Sequence, residues 1–180
     1  NLIDLLHNGR LSVPKQMYYD ASTLVIREVK PGKEAWVTNL LTISEWEESR
    51  FDDYSQTERK KIQNDKIHVR RYFVGHPEHF VEGGRLTRRV RTLLNQHLRR
   101  CVDVRTLVLD PDDEEMSRYR YRDIGYYETD PVSVLDAEVH VGKPVSSGEL
   151  FTTSKECDEA RGFFQELHQL SPPWVEHDAT

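Results

Sequence analysis

Cysteine is scarce in this 180-residue chain, where Cys101 and Cys157 are the only two. Two thiols cannot build a cysteine-rich zinc site or a disulfide framework. Both fall in apolar, periodic stretches and read as buried free thiols, an arrangement suited to a reducing cytoplasm. No apolar run approaches the ~18–20 residues that a membrane-spanning helix needs, so no membrane partner is expected. No signal peptide is visible, and the chain opens on Asn1 rather than Met; the expectation is a piece excised or trimmed from a longer protein. There is no Walker loop, no dinucleotide glycine fingerprint and no Gly-x-Ser-x-Gly nucleophile elbow. No cofactor is expected. The net charge of −6 argues against bulk attraction to DNA or acidic membranes, so nucleic acid is not the expected partner, although a local basic patch stays open.

What is present is aromatic. Three Trp, eight Tyr and six Phe supply core surface in a chain that is 37% hydrophobic and 31% charged, which rules out global disorder. The length suits one compact domain. Residues 1–20 read as an N-terminal helix or linker, 21–174 as a single α/β domain and 175–180 as a tail.

In the first third, "STLVIREV" is strand-like, "PGK" is a turn and "EAWVTNLLTI" reads as a second strand. A polar helix follows, with Ser44 and Glu47 spaced as a capping box. "IHVRRYFVG" reads as a strand ending in Gly75. "GRLTRRVRTLLNQHLRRC" then spaces Leu86, Val90, Leu93, Leu94, His97, Leu98 and Cys101 on one helical face, with arginines opposite. "VDVRTLVLD", "YRDIGYYETD" and "PVSVLDAEVHVGK" read as strands. A last helix capped by Ser154 buries Cys157, Ala160, Phe163, Phe164, Leu167 and Leu170, and "SPPW" stops it. The first clear strand–helix–strand unit predicts a parallel pair with a right-handed crossover. The two later strands predict an antiparallel extension.

The words "VRRYFVG", "VDVRTLVLD", "RDIGYYETD", "LFTTS" and "FFQELHQLSP", in that order over 67–173, resemble the phospholipase D-like superfamily in its degenerate, regulatory type. The resemblance implies an α/β fold with a mixed, largely parallel sheet flanked by helices. Active members of that family carry His-x-Lys-x(4)-Asp. Histidine attacks phosphorus, lysine binds the phosphate oxygens and aspartate orients the histidine. "HVGK" departs from the pattern: Lys143 follows His140 by three residues, not two, and three residues along a strand means opposite faces. The family's central cleft is built from two units, so the resemblance also implies a homodimer, for which Trp174 is the candidate anchor.

Other candidate chemistry is sparse. His76 and His79 in "GHPEH" follow a strand end, where α/β sheets bind ligands, yet Pro77 breaks any helical ligand pair. They read as a solvated loop bordering any pocket that forms there. No metal site is expected. Arg85 and Arg88 open the arginine helix and could hold a phosphate-containing small ligand, with "VEGGRL" offering backbone amides at the helix start. A solvated face is the competing reading.

The expected function is therefore a non-catalytic sensor, scaffold or protein-interaction domain of a larger bacterial-type protein, in the cytoplasm, with fused or associated domains as partners. The alternative is a divergent phosphodiesterase or nuclease drawing on His140 or His68, Lys143 and a carboxylate such as Asp123 or Glu138. A nucleic-acid-binding module, resting on the arginine helix alone, is the third.

Overall fold

The computed structural model describes residues 8–39, 50–110, 112–119, 122–139 and 147–176. Its strands are β1 (Arg10–Pro14), β2 (Glu34–Asn39), β3 (His68–Gly75), β4 (Val81–Glu82), β5 (Arg85–Leu86), β6 (Asp103–Val108), β7 (Arg122–Tyr127), β8 (Ser133–Glu138) and β9 (Ser147–Phe151). Its helices are α1 (Tyr18–Glu28), α2 (Arg50–Asp65), the single turn α3 (Pro77–Phe80), α4 (Arg88–Leu98) and α5 (Ser154–Leu170). Seven strands form one sheet in the order β1-β9-β8-β7-β2-β3-β6, and β4 with β5 make a separate hairpin.

The sheet is mixed, as expected, but its parallel part is confined to β2-β3 and β3-β6. The pairs β2-β7, β7-β8, β8-β9 and β1-β9 are antiparallel. The reason is connection length: a parallel return needs a crossover of a dozen residues or more, which α2 and α4 supply, while β7 and β8 are joined by a short turn.

Helices cover both faces. On one, Tyr54 of α2 packs on Arg71, and Phe73 lies 5.3 Å from the His97 ring of α4. On the other, Phe164 of α5 meets Trp36 and Tyr72 at 5.9 and 5.5 Å. β3, sandwiched between, is buried from Arg71 to Gly75. A strand covered on both faces reads as a continuous apolar run, which is why "RYFVG" is so legible.

Several expectations are corrected. Residues 10–14 are an edge strand rather than part of a helix or linker, so the domain begins before residue 21. "STLVIREV" is helical, because Tyr18, Ser22, Val25 and Ile26 bury one face at helical spacing. "SGELF" is a strand, held between β8 and β1. Cys157 is buried, but Cys101 is exposed, at the turn that ends α4. Leu93 is only partly buried. Ser44, Glu47 and residues 1–7 lie outside the described residues. Among the described residues no helix is long and apolar enough to cross a membrane.

Candidate functional site

The carboxyl ends of β2, β3, β6 and β8 and the amino ends of β7 and β9 gather at one end of the sheet, as the register dictates. β2 is the switch strand, parallel to β3 and antiparallel to β7. A reversal of this kind opens a crevice beyond the strand ends. Here the last registered pair is Val37 with Gly125, after which Thr38 bridges the parting backbones. The Ile124 amide donates to the Thr38 hydroxyl oxygen at 2.8 Å, and that oxygen sits 3.3 Å from Asp123 Oδ1. A cavity of about 40 Å3 lies against this junction. Tyr18, Tyr19 and Ser22 of α1, Tyr54 of α2, Asn39 of β2, Arg71 of β3 and Asp123 and Tyr127 of β7 line it. That volume suits one or a few water-sized groups.

Two wider grooves, of about 440 and 320 Å3, lie on the α5 side of the sheet. Ion pairs already occupy their charges: Arg122 with Asp136 in the first, Arg70 with Asp103 at the second. The crevice is smaller but holds the buried polar groups, and burial is what makes a polar group selective for its partner.

Arg71 is its centre. The side chain is 2% exposed and ion-paired with Glu58, itself 1% exposed. Nη1 donates to Asn39 Oδ1 at 2.9 Å, and the guanidinium lies 5.4 Å from the Tyr54 ring centroid. Burial works against its charge, but the neighbouring Glu58 overcomes that, and the guanidinium is held above its ordinary range. Burial, and then the Glu58 charge, drives the Tyr54 hydroxyl up. Burial and then Asp123 do the same to Tyr18, and burial and then Tyr54 to Tyr127. The Tyr54 hydroxyl lies near Arg71 and Tyr127 but outside hydrogen-bond geometry with any described residue.

No family model matches the sequence, and no curated protein matches it. Solved structures do. Nuc from Salmonella typhimurium, described as a phospholipase D family member, superposes with a TM-score of 0.57 at 8% identity, over 93% of this chain and 97% of its own. NucT from Helicobacter pylori gives 0.59 at 8%, over 92% and 97%. The chain has a phospholipase D-like fold. TrmBL2, an archaeal chromatin protein with a novel mode of DNA binding, gives 0.55 at 7% over 96% of this chain, which spans 60% of the TrmBL2 chain. At such identities the fold is what these proteins share.

Within that phospholipase D-like frame the sequence candidates scatter. Asp123 is buried in the crevice. His68 is exposed at the start of β3, level with Glu34, at the opposite end of the sheet. At the usual strand rise it is on the order of 15 Å from Asp123, so these two cannot share a phosphate. Glu138 ends β8, level with Arg122. His140 and Lys143 lie outside the described residues. His76 begins the α3 turn, its carbonyl accepting from the amides of His79 and Phe80. His79 is exposed, 3.5 Å from Glu78. Arg85 on β5 and Arg88 at the start of α4 are exposed. None of these four lines the crevice. The glycine pair does not sit at a helix start. Gly83 and Gly84, with φ of 59° and 78°, turn the β4–β5 hairpin, a conformation that glycine adopts freely. Thr87 caps α4 instead, accepting from the Val90 amide at 3.3 Å. Among the described residues no three His, Cys, Asp or Glu side chains gather to hold a metal.

Arg71, Glu58, Tyr54, Thr38 and Asn39 are the residues that sequence reasoning missed. One signal was available. Arg70 and Arg71 are adjacent in a strand, so they point to opposite faces. If helices cover both faces, one of the two has to be buried and paired.

Proposed function

We propose that this chain is a non-catalytic ligand-binding domain, a sensor or interaction unit working with fused or associated protein domains, whose crevice takes a small polar group. The observation that supports it is the chemistry of the lining. No histidine or lysine lines the crevice among the described residues, and its guanidinium is already engaged by Glu58 and Asn39. Tyr18, Tyr54 and Tyr127 are pushed away from ionisation by burial, so none supplies a phenolate nucleophile at neutral pH. What remains are neutral hydroxyls, an amide and a carboxylate, groups that bind rather than attack.

The test pairs turnover with binding. Model phosphodiesters should not be hydrolysed, and a panel of small polar metabolites should contain a compound that raises the melting temperature in wild type but not in Tyr54→Phe. Diester hydrolysis abolished by His140→Ala would overturn this reading.

One observation favours a second reading, a divergent phosphodiesterase. β8 ends at Glu138, at the same end of the sheet as the crevice. His140 and Lys143 follow Glu138 closely in the sequence, and the same His140→Ala assay decides between the two.

A further inference from the structure

α4 breaks the charge rule that the other long helices keep. Acidic residues in a first turn complement the positive end of the helix dipole, and basic ones oppose it. α1, α2 and α5 carry Asp20, Asp52 with Asp53, and Glu156 there. α4 carries no acid in its first turn and opens on Arg88, Arg89 and Arg91, with Arg85 just ahead on β5. No Asp or Glu occurs between Glu82 and Asp103, although the chain has 31 acidic residues against 25 Lys and Arg. Carboxylates at i+4 would have been the simple remedy.

Three of these guanidinia, those of Arg85, Arg88 and Arg91, are also unspent. Arg85, Arg88 and Arg91 are exposed and make no ion pair among the described residues. Arg99, further along, is paired with Glu176 at 2.6 Å. Helical neighbours three apart stand about 5–6 Å from one another, so Arg88 and Arg91 form a short ladder of positive charge. Thr92 and Gln96 share the exposed side.

From this we infer that the α4 arginine face is a docking surface for the phosphate backbone of duplex DNA. Charge complementarity selects a polyanion, and the rest of the face narrows it. Among the described residues the exposed large apolar ones are Met17, Leu24, Leu170 and Val175, none of them on α4. A protein partner would want an apolar anchor there, whereas phosphate contacts need only arginine, threonine and glutamine donors. A single strand would want aromatic stacking, which exposed α4 positions lack. The deep, narrow major groove of A-form RNA shuts out a helix that B-form DNA admits. The acidic remainder of the chain keeps the affinity modest, and salt screens it beyond about 10 Å at 0.1 M. This surface is separate from the crevice, so either reading can fail alone.

Fluorescence anisotropy of a labelled duplex of about 20 base pairs, titrated with the full chain, is the test. Three phosphate contacts give a log K against log salt slope near −2.7, so affinity should fall about forty-fold between about 50 and about 200 mM salt. Replacing Arg85, Arg88 and Arg91 by Ala one at a time should each flatten that slope by about 0.9, in variants that keep the wild-type circular dichroism melt. Arg10→Ala, on the far edge strand, should leave it unchanged. Three outcomes overturn the inference: no binding at the lowest salt, a slope indifferent to the three arginines, or equal binding of a single-stranded oligonucleotide or a polyglutamate peptide.

Discussion

Arg71 and Glu58 hold each other in an ion pair closed to solvent on both sides, at 2% and 1% exposure. Removing one partner strands the other as a buried charge, which costs about 3–5 kcal/mol. Arg71→Met and Glu58→Leu should each destabilise the domain by that order in urea unfolding. Replacing both together with apolar residues should recover most of the loss, since the desolvation penalty leaves with the pair. Single variants that each lose less than about 1 kcal/mol would show that the pair is hydrated after all.

That pair also marks the limit of what the sequence discloses. The β3–α4–β6 unit was legible because its signals agree: a two-faced apolar strand, a capped helix with one apolar stripe, and a second alternating strand. α1 was misread because Thr23, Val25 and Ile26 favour strands locally, and only the packing of Tyr18, Ser22, Val25 and Ile26 on the sheet overrides that preference. β9 was missed because Ser147 and Gly148 read as turn residues. Its glycine is required by packing, since a side chain at Gly148 would meet the Tyr18 ring at 2.7 Å. Asp123 was the one crevice residue named in advance. Glu58 sits in a helix that is polar almost all round, and no pattern distinguishes it from its solvated neighbours.

Gly75 ends β3 where the chain turns into α3. A methyl group added there would fall within the Phe80 ring, which is itself buried at 4% exposure. Gly75→Ala should therefore cost about 1–3 kcal/mol through overpacking. Gly75→Ala combined with Phe80→Leu should regain part of it. A melting temperature unchanged in the single variant would place the Phe80 ring elsewhere.

His97 predicts a pH response. It is 2% exposed, and burial first, then the charges of Arg71 and Arg100, hold its pKa well below the ordinary value. A histidine depressed in the folded state is neutral there, while the unfolded chain takes up a proton near pH 6.5. Its contribution is thus complete above about pH 6.5 and declines as pH falls below it, by at most about 1.4 kcal/mol per pH unit. Urea midpoints measured from about pH 8 down to about pH 5 should drop more steeply for wild type than for His97→Gln. Parallel curves for the two would remove His97 from the acid response.

Trp174 was expected as a dimer anchor, and the structure gives it other work. After α5 the chain folds across the β6 edge. Arg105 bridges to Pro173, the Trp174 amide donates to the Val104 carbonyl at 2.8 Å, and the indole N–H donates to Asn95 Oδ1 of α4 at 2.7 Å. Arg105 Nη1 adds a bond to the Ser171 carbonyl at 2.8 Å. The segment closes one open edge of the sheet, where unpaired backbone would otherwise invite another chain. It also ties that edge to the arginine helix. A dimer anchor and an edge cover differ in what Trp174→Ala does. Loss of an anchor lowers the mass seen by light scattering and leaves the unfolding curve alone. Loss of the cover lowers stability by about 1–3 kcal/mol, from buried ring area and one hydrogen bond. It should leave the mass unchanged at low concentration and promote aggregation as the β6 edge is bared. The bonds to Asn95 and Val104 lead us to expect the second pattern, with Trp174→Phe intermediate because it keeps the ring area and loses the bond to Asn95. A halved mass with an unaltered melt would restore the anchor.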